Sequence, residues 1–470
     1  MGHVSSLLKS QRKTMAIYRN VREYLRIFLT CSVVLSLNLY SNDREIVDHK
    51  NLDDDFFKLV KNFRLPTQRS NQIYCILNAQ EKNEKIELWG DRPKAIIHPA
   101  SVSKVPISLY ILRHFTPSYQ YKTKFYLSEG HLHIKGSKDP YFDKDKFFEI
   151  LQLIQHQKLG TIHTLSFDEN FIFFPAVEYH TEFFPSHSIT QTQKVLTQFF
   201  NHQLWNQYLK NAFVQYFEKQ KDGATTPEKP RIDQIQFLHS SRLNSIPNKF
   251  QLAFEMKSPE IYKYIKEMNV KSNNYLAQFY FQELGGEQKF NQWFHQYFNT
   301  TKKEHYFYTG SGLPLRQGKK RYDNYSTCEL MTKVTSTLDE LIQSYYLELK
   351  DLLAVPGTDG GTFKRRNYPT ELKNSFVAKT GTLNHVSTLS GALYTNLGTK
   401  YFGIFNGIHK KSNAHRLQDN FIQKMMHFFD GPKSFHYESK NFVSVEDESN
   451  SSTKKNKLNY SSFRSLHYFF

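Results

Sequence analysis

Apolar residues recur along this chain at two periods, and the switches between them outline its elements. Gln72–Asn78 and Glu84–Trp89 alternate as two strands joined by a polar turn, and Val102–Phe115 follows as a helix. Phe125–Lys135 reads as a hairpin, Gly136–Pro140 as a turn, Lys144–His156 as a helix and Thr161–Phe167 as a strand. This stretch is a βαβ-like block with the character of a small separate domain. Residues 185–220 read as helical, and 219–231, with Gly, Thr and Pro, as a loop. Two more helices fall at Ser258–Met268 and Tyr275–Leu284. Strand-like runs follow at Phe376–Lys379, Thr388–Thr395 and Tyr401–Ile408, the last two closed into a hairpin by Asn396–Thr399. Ala414–Phe429 then places Leu417, Phe421, Met425 and Phe428 on one helical face. From Gly431 the chain is rich in Ser, Asn and Lys, the composition of a flexible tail.

Two features disturb this pattern. Pro106 cannot donate to the Val102 carbonyl, so a helix running from Ser101 must kink or start later. At the other end of the scale, Arg19, Arg22 and Arg26 precede the apolar run Ile27–Leu39. A basic stretch followed by an apolar segment of about 13 residues, interrupted by Thr30, Ser32, Ser36 and Asn38, fits a secretory signal; a membrane span needs ~20. An uncleaved anchor is the alternative. The chain is therefore expected to be exported, to a periplasm or cell envelope.

Charge and cysteine add bounds. The formal net charge is +18, with +5 in residues 1–41, +2 in residues 433–470 and +11 in the body. A basic body suits an anionic partner: nucleic acid, a membrane surface touched peripherally, or a wall polymer. No nucleic-acid module, zinc-ligand spacing or P-loop is present, so nucleic acid is not the expected partner. Of the three cysteines, Cys31 lies in the export segment; the sequence leaves open whether Cys75 and Cys328 pair, with two buried unpaired thiols the favoured expectation.

Three short motifs carry chemistry. Ser101-Val-Ser-Lys104 puts a hydroxyl and an amine on one face of a helix start. A lysine of depressed pKa there would be the base that activates Ser101. The spacing itself is common, recurring at Ser6/Lys9, Ser10/Lys13, Ser451/Lys454 and Ser452/Lys455. Ser272-Asn273-Asn274 precedes the helix at Tyr275, where Ser272 could relay a proton and Asn274 hold a substrate amide; helix capping explains the same residues. Lys379-Thr380-Gly381-Thr382 ends a strand. Lys379 and Thr380 could bind a carboxylate, Gly381 would let a substrate approach the backbone, and the Thr382 and Ser101 N–H groups could form an oxyanion hole.

In this order, behind an export signal, the three motifs resemble the penicillin-binding protein and serine β-lactamase superfamily. Asp139-Pro140, Gly310-Ser-Gly-Leu313 and Val355-Pro-Gly-Thr-Asp-Gly-Gly-Thr362 narrow the resemblance to the D-alanyl-D-alanine carboxypeptidase/endopeptidase family. It implies an α+β fold of the β-lactamase/transpeptidase type: an antiparallel sheet built from both chain ends and flanked by helices. It also implies a domain inserted between the first two motifs. The expected division is a signal over 1–41, catalytic parts 42–125 and 251–432, an insert over 126–250 and a tail over 433–470. The implied activity is serine-type D-Ala-D-Ala carboxypeptidase or endopeptidase action on peptidoglycan stem peptides, with β-lactam antibiotics as acylating inhibitors and no metal or organic cofactor. Ser101, Lys104, Ser272, Asn274 and Lys379 would be catalytic, and Thr380, Gly381 and Thr382 would bind substrate. Two alternatives share the fold. A β-lactamase would need a deacylating carboxylate, for which only Glu329, Glu340 and a loose likeness at Glu371 offer themselves. A wall-binding protein would have lost turnover.

Overall fold

The computed structural model describes residues 49–78, 87–157, 159–173, 188–218, 227–243 and 250–439. The export segment, the four other Ser-x-x-Lys pairs, Cys31 and the tail beyond residue 439 lie outside the described residues. The elements in chain order are α1 (His49–Asn62), β1 (Gln72–Asn78), β2 (Glu87–Trp89), β3 (Ile96–Ile97), α2 (Lys104–His114), β4 (Lys122–Ser128) and β5 (His131–Lys135). Next come α3 (Lys144–His156), β6 (Thr164–Phe167), α4 (Ile189–Phe199), α5 (Gln207–Glu218), β7 (Gln234–Phe237), α6 (Ser240–Leu243) and β8 (Gln251–Lys257). Helices α7 (Ile261–Val270), α8 (Asn274–Glu283) and α9 (Gly286–Phe298) follow, then β9 (Leu315–Gln317), β10 (Lys320–Tyr322), β11 (Ser326–Thr327) and α10 (Cys328–Gln343). The described chain closes with β12 (Phe376–Thr382), β13 (Val386–Thr395), β14 (Gly398–Gly407) and α11 (Lys411–Phe428).

The first sheet has the order β12-β13-β14-β1-β2 and is antiparallel throughout. β1 pairs along its whole length with β14, from Gln72↔Asn406 to Asn78↔Lys400, so the sheet joins the two ends of the described chain. All of β1 is buried because both of its faces are covered. Ile73, Cys75 and Leu77 point into the larger core with α2 and α10. Tyr74, on the opposite face, packs on Phe56 of α1 and Phe421 of α11, with ring centroids 4.8 and 4.9 Å away. Alternation across a strand thus feeds two helical layers.

Cys75 and Cys328 are not separate thiols: they form a disulfide between β1 and the first residue of α10, across 253 residues of sequence. The expectation failed because α10 was not legible as a helix, and nothing in the pattern places its first turn under β1. Gly403 makes room there, since a Cβ on it would lie 3.1 Å from the Cys328 sulfur.

Pro106 is accommodated by the later of the two expected starts. A 3₁₀ turn over Ala100–Ser103 precedes α2, which begins at Lys104. Pro106 therefore sits in the first turn, where helix N–H groups lack partners in any case.

The inserted block has its own sheet, ordered β7-β6-β5-β4-β8, with β5, β6 and β7 parallel. β8 pairs antiparallel with β4, so this sheet spans Lys122–Lys257 and passes the expected limits at 126 and 250. Its core is separate and rich in phenylalanine, with Phe125, Phe147, Phe148 and Phe167 all buried. The tail, expected from residue 433, starts later. Lys433 and Phe435 donate backbone N–H bonds to Tyr394 and Asn374, and the Tyr437 hydroxyl donates to Asp359. Phe435 and Tyr437 are the apolar residues that hold this segment on the larger core.

Alkylating the unfolded, unreduced protein is expected to leave Cys75 and Cys328 unmodified by mass spectrometry. The double variant Cys75→Ser, Cys328→Ser should melt lower, with a stability loss of about 2–5 kcal/mol.

Candidate active site

Ser101 lies in the 3₁₀ turn that leads into α2, and close backbone contacts fix that turn from two sides. Ala100, just before it, has a left-handed φ of 50°, a strained conformation for a residue with a Cβ. Gly312 makes this possible: its φ is 81°, and a Cβ there would lie 2.0 Å from the Ala100 carbonyl oxygen. On the other side, a Cβ on Gly381 would lie 2.7 Å from the Pro99 oxygen and 3.0 Å from the Ser101 nitrogen. The Thr388 hydroxyl donates to the same Pro99 oxygen at 2.9 Å. Gly381 thus has a packing role besides the expected one: its bare side admits the turn that carries Ser101.

Lys104 is completely buried. Its Nζ lies 3.1 Å from Ser101 Oγ, 2.9 Å from Asn274 Oδ1 and 2.6 Å from the Ser311 carbonyl oxygen. An ammonium can donate to all three. A neutral amine donates to two and keeps a lone pair, and the hydroxyl of Ser101 is the one partner able to donate into it. Burial first, and then the Lys379 charge, push the Lys104 pKa well below its usual value. Lys379 is buried too, which pushes its own pKa down to about 7, and its Nζ donates to the Thr380 carbonyl at 2.8 Å.

The second motif divides its labour. Asn273 caps α8, its Oδ1 accepting the Leu276 N–H at 3.1 Å, so the capping explanation holds for that residue. Asn274, the first helical residue, is left free to meet Lys104. Ser272 is buried and held at a φ of 55° beside them, but among the described residues its hydroxyl makes no hydrogen bond to Ser101 or Lys104. Of the expected site residues, direct contact joins Ser101, Lys104 and Asn274, charge joins Lys379, and packing joins Gly381. Thr380 and Thr382 lie on β12, the terminal strand of the sheet, where Gly381 meets Ser101.

Ser311 was missed, because its contribution is a backbone carbonyl and no side-chain pattern reports one. The word Gly310-Ser-Gly-Leu313 contained it. The word Val355–Thr362 also finds a physical role. Asp359 accepts from buried Lys266 at 2.7 Å and from the Val355 N–H at 2.8 Å, and a Cβ on Gly361 would lie 2.2 Å from the Val270 carbonyl oxygen. That loop therefore braces the end of α7, two residues before Ser272. Two of the three carboxylates considered for a β-lactamase are engaged elsewhere: Glu329 pairs with Lys333 at 2.6 Å, and Glu340 accepts from Ser336.

No curated protein sequence matches the chain. Among solved structures, a predatory endopeptidase of Bdellovibrio bacteriovorus, in complex with an immunity protein, has a TM-score of 0.68 at 25% identity over 79% of this chain and 97% of that one. A second predatory endopeptidase of that organism, acylated by penicillin G, gives 0.66 at 25% identity over 79% and 97%. Penicillin-binding protein 4 of Haemophilus influenzae gives 0.51 at 15% identity over 80% and 99%, a likeness of fold alone. The fold, together with a serine set against a buried lysine, defines a penicillin-binding serine enzyme. Within that class, residues 240–426 match the family model of the D-Ala-D-Ala carboxypeptidase 3 (S13) family.

Two outcomes are expected here. Gly312→Ala adds a Cβ into the Ala100 carbonyl, and the displaced Ser101 should acylate at least ~10²-fold more slowly, as expected when reacting groups shift by about an ångström. In the pH profile of kcat/KM, the rate falls on the acid side as Lys104 takes up a proton. On the alkaline side it falls as Lys379 loses its charge, at about pH 7 in the free enzyme. Lys379→Arg, a cation at every working pH, should move the alkaline limb upward.

Proposed function

We propose that this chain is an exported serine DD-peptidase that hydrolyses the peptide bond following D-alanine in peptidoglycan stems. The observation that carries this reading is the Lys104 Nζ, buried without an acidic partner among its contacts and 3.1 Å from Ser101 Oγ. The neutral amine takes the Ser101 proton as Oγ attacks the D-alanyl carbonyl, and the backbone N–H groups of Ser101 and Thr382 receive the developing oxyanion. The proton then passes from Lys104, through Ser272, to the leaving amine. Asn274 holds the substrate amide, and Lys379 with Thr380 binds the carboxylate of the leaving residue. Water releases the acyl-enzyme.

Endopeptidase cleavage of D-alanyl cross-links is favoured over trimming of free D-Ala-D-Ala ends. The two B. bacteriovorus structures described as endopeptidases support it, since each aligns over 79% of this chain at 25% identity. The disulfide between Cys75 and Cys328 supports export, because such bonds persist in oxidising compartments.

Labelled penicillin given to the wild type and to Ser101→Ala is expected to leave a stable adduct on the wild type alone. Rapid turnover of the adduct would favour a β-lactamase, and no adduct on either protein would overturn both enzyme readings. Purified cross-linked dimer and uncross-linked pentapeptide muropeptides, analysed by chromatography, should show faster loss of the dimer.

A further inference from the structure

Between the inserted block and the second motif runs a buried chain of contacts that none of the catalytic steps above employs. Asp139 and Tyr141 come from the connection between β5 and α3, in the inserted block. Both are buried, with 4% and 3% of their surface exposed. Asp139 Oδ1 accepts the Tyr141 N–H at 2.9 Å and the Tyr264 hydroxyl at 2.8 Å, and its other oxygen pairs with Lys146. The Tyr264 and Tyr141 rings stack, with centroids 5.4 Å apart and planes at 23°. At the end of this chain the Asn273 Nδ2 donates to the Tyr141 hydroxyl at 2.7 Å.

Asn273 is wholly buried, and each end of its amide has one task. The oxygen caps α8 and the nitrogen is spent on Tyr141. On either side of it stand Ser272, in a left-handed conformation, and Asn274, on Lys104. If the Tyr141 hydroxyl is removed, a buried N–H loses its partner, and the amide gains by rotating toward another acceptor. Rotation releases the cap. It also frees the backbone that holds Ser272 in its strained state and that aims Asn274 at Lys104.

We propose that Tyr141 is a positioning residue for acyl transfer, supplied by the inserted block and acting through Asn273 to hold Asn274 on Lys104 and Ser272 in its left-handed conformation. The inference rests on the acyl-enzyme reading of Ser101. It assigns the insert a part in the chemistry beyond any contact with substrate. Asp139 and Tyr264 set Tyr141 in place, the one by accepting its backbone N–H and the other by stacking on its ring.

The test uses the whole protein and a fluorescent penicillin, with the limiting acylation rate and the penicillin affinity measured separately. Tyr141→Phe keeps the ring and loses the hydroxyl, and the limiting rate should fall about ten-fold with affinity unchanged. Tyr264→Phe removes a hydroxyl from the same network that does not touch Asn273. It should lower the melting temperature at least as much, yet leave the rate within about two-fold, as a purely structural hydroxyl would. Should Tyr141→Phe not fold, 4-fluorophenylalanine at position 141 carries the test, since its fluorine fills the hydroxyl's place and accepts only weakly from Asn273. A ten-fold loss in the limiting rate then supports the role, and a rate near that of the wild type overturns it. Equal rates in Tyr141→Phe and wild type, or equal losses in Tyr141→Phe and Tyr264→Phe, overturn the proposal while the acyl-enzyme reading stands. An unlabelled wild type overturns both.

Discussion

A lysine amine buried without an acid beside it is the constraint on which this molecule turns. Lys104 meets a hydroxyl, an amide oxygen and a backbone carbonyl, and the charge it feels most strongly is that of Lys379. Lys266 makes the contrast. It is as deeply buried, but it faces Asp359 at 2.7 Å, which offsets part of the burial, and its pKa falls only to about 8. One buried lysine is neutralised by a partner and braces a loop. The other has no acid among its contacts and is pushed toward the neutral amine. The protein must hold such a group in place by neutral dipoles alone, and they come from three parts of the chain: Ser101 from the adjoining turn, Asn274 from α8, Ser311 from a glycine-flanked loop.

That dispersal decides what could be read in advance. Motifs whose chemistry lies in side chains were legible: Ser101, Lys104, Asn274 and Lys379 meet or couple as their spacing and order implied. Strand alternation located β1, β13 and β14, and the 3.6 period located α3 and α11, because each buries one face or two against a continuous core. Where a contact is made by backbone, the sequence is mute. The Ser311 carbonyl is one case, and the packing of Gly381 against the Ser101 turn is another, since a missing Cβ does not say which neighbour needs the space. The Cys75–Cys328 bond was lost for a related reason. Helix α10 carries Thr and Ser among its apolar residues and begins on a cysteine, so its start, and thus the position of one sulfur, was invisible.

The strained residues belong to the same account. Ala100 and Ser272 both adopt left-handed φ values; the first adjoins Ser101 and the second stands two residues before Asn274, both of which touch Lys104. Their strain, of the order of 1–3 kcal/mol apiece, persists only because the surroundings leave no room to relax. Gly312 opens the space on one side, and Asn273 with its cap closes it on the other. Packing and capping, ordinarily matters of stability, here set the aim of the reacting groups.

The pairing of β1 with β14 has a consequence for the order of events in time. Gln72 and Asn406 are 334 residues apart, and their side chains are hydrogen bonded. Contacts this remote must wait for both segments to exist and for a long loop to close. Every strand of the second sheet, from Lys122 to Lys257, is synthesised well before β14, so its partners are present while β1 is still a bare edge. The turn bearing Ser101 rests on β12 and β13, which also come late. The nucleophile therefore acquires its surroundings only when nearly the whole chain has been made. A nascent or truncated chain ending between residues 383 and 397 carries every residue of the three motifs and still lacks β14, the strand that ties β13 to β1.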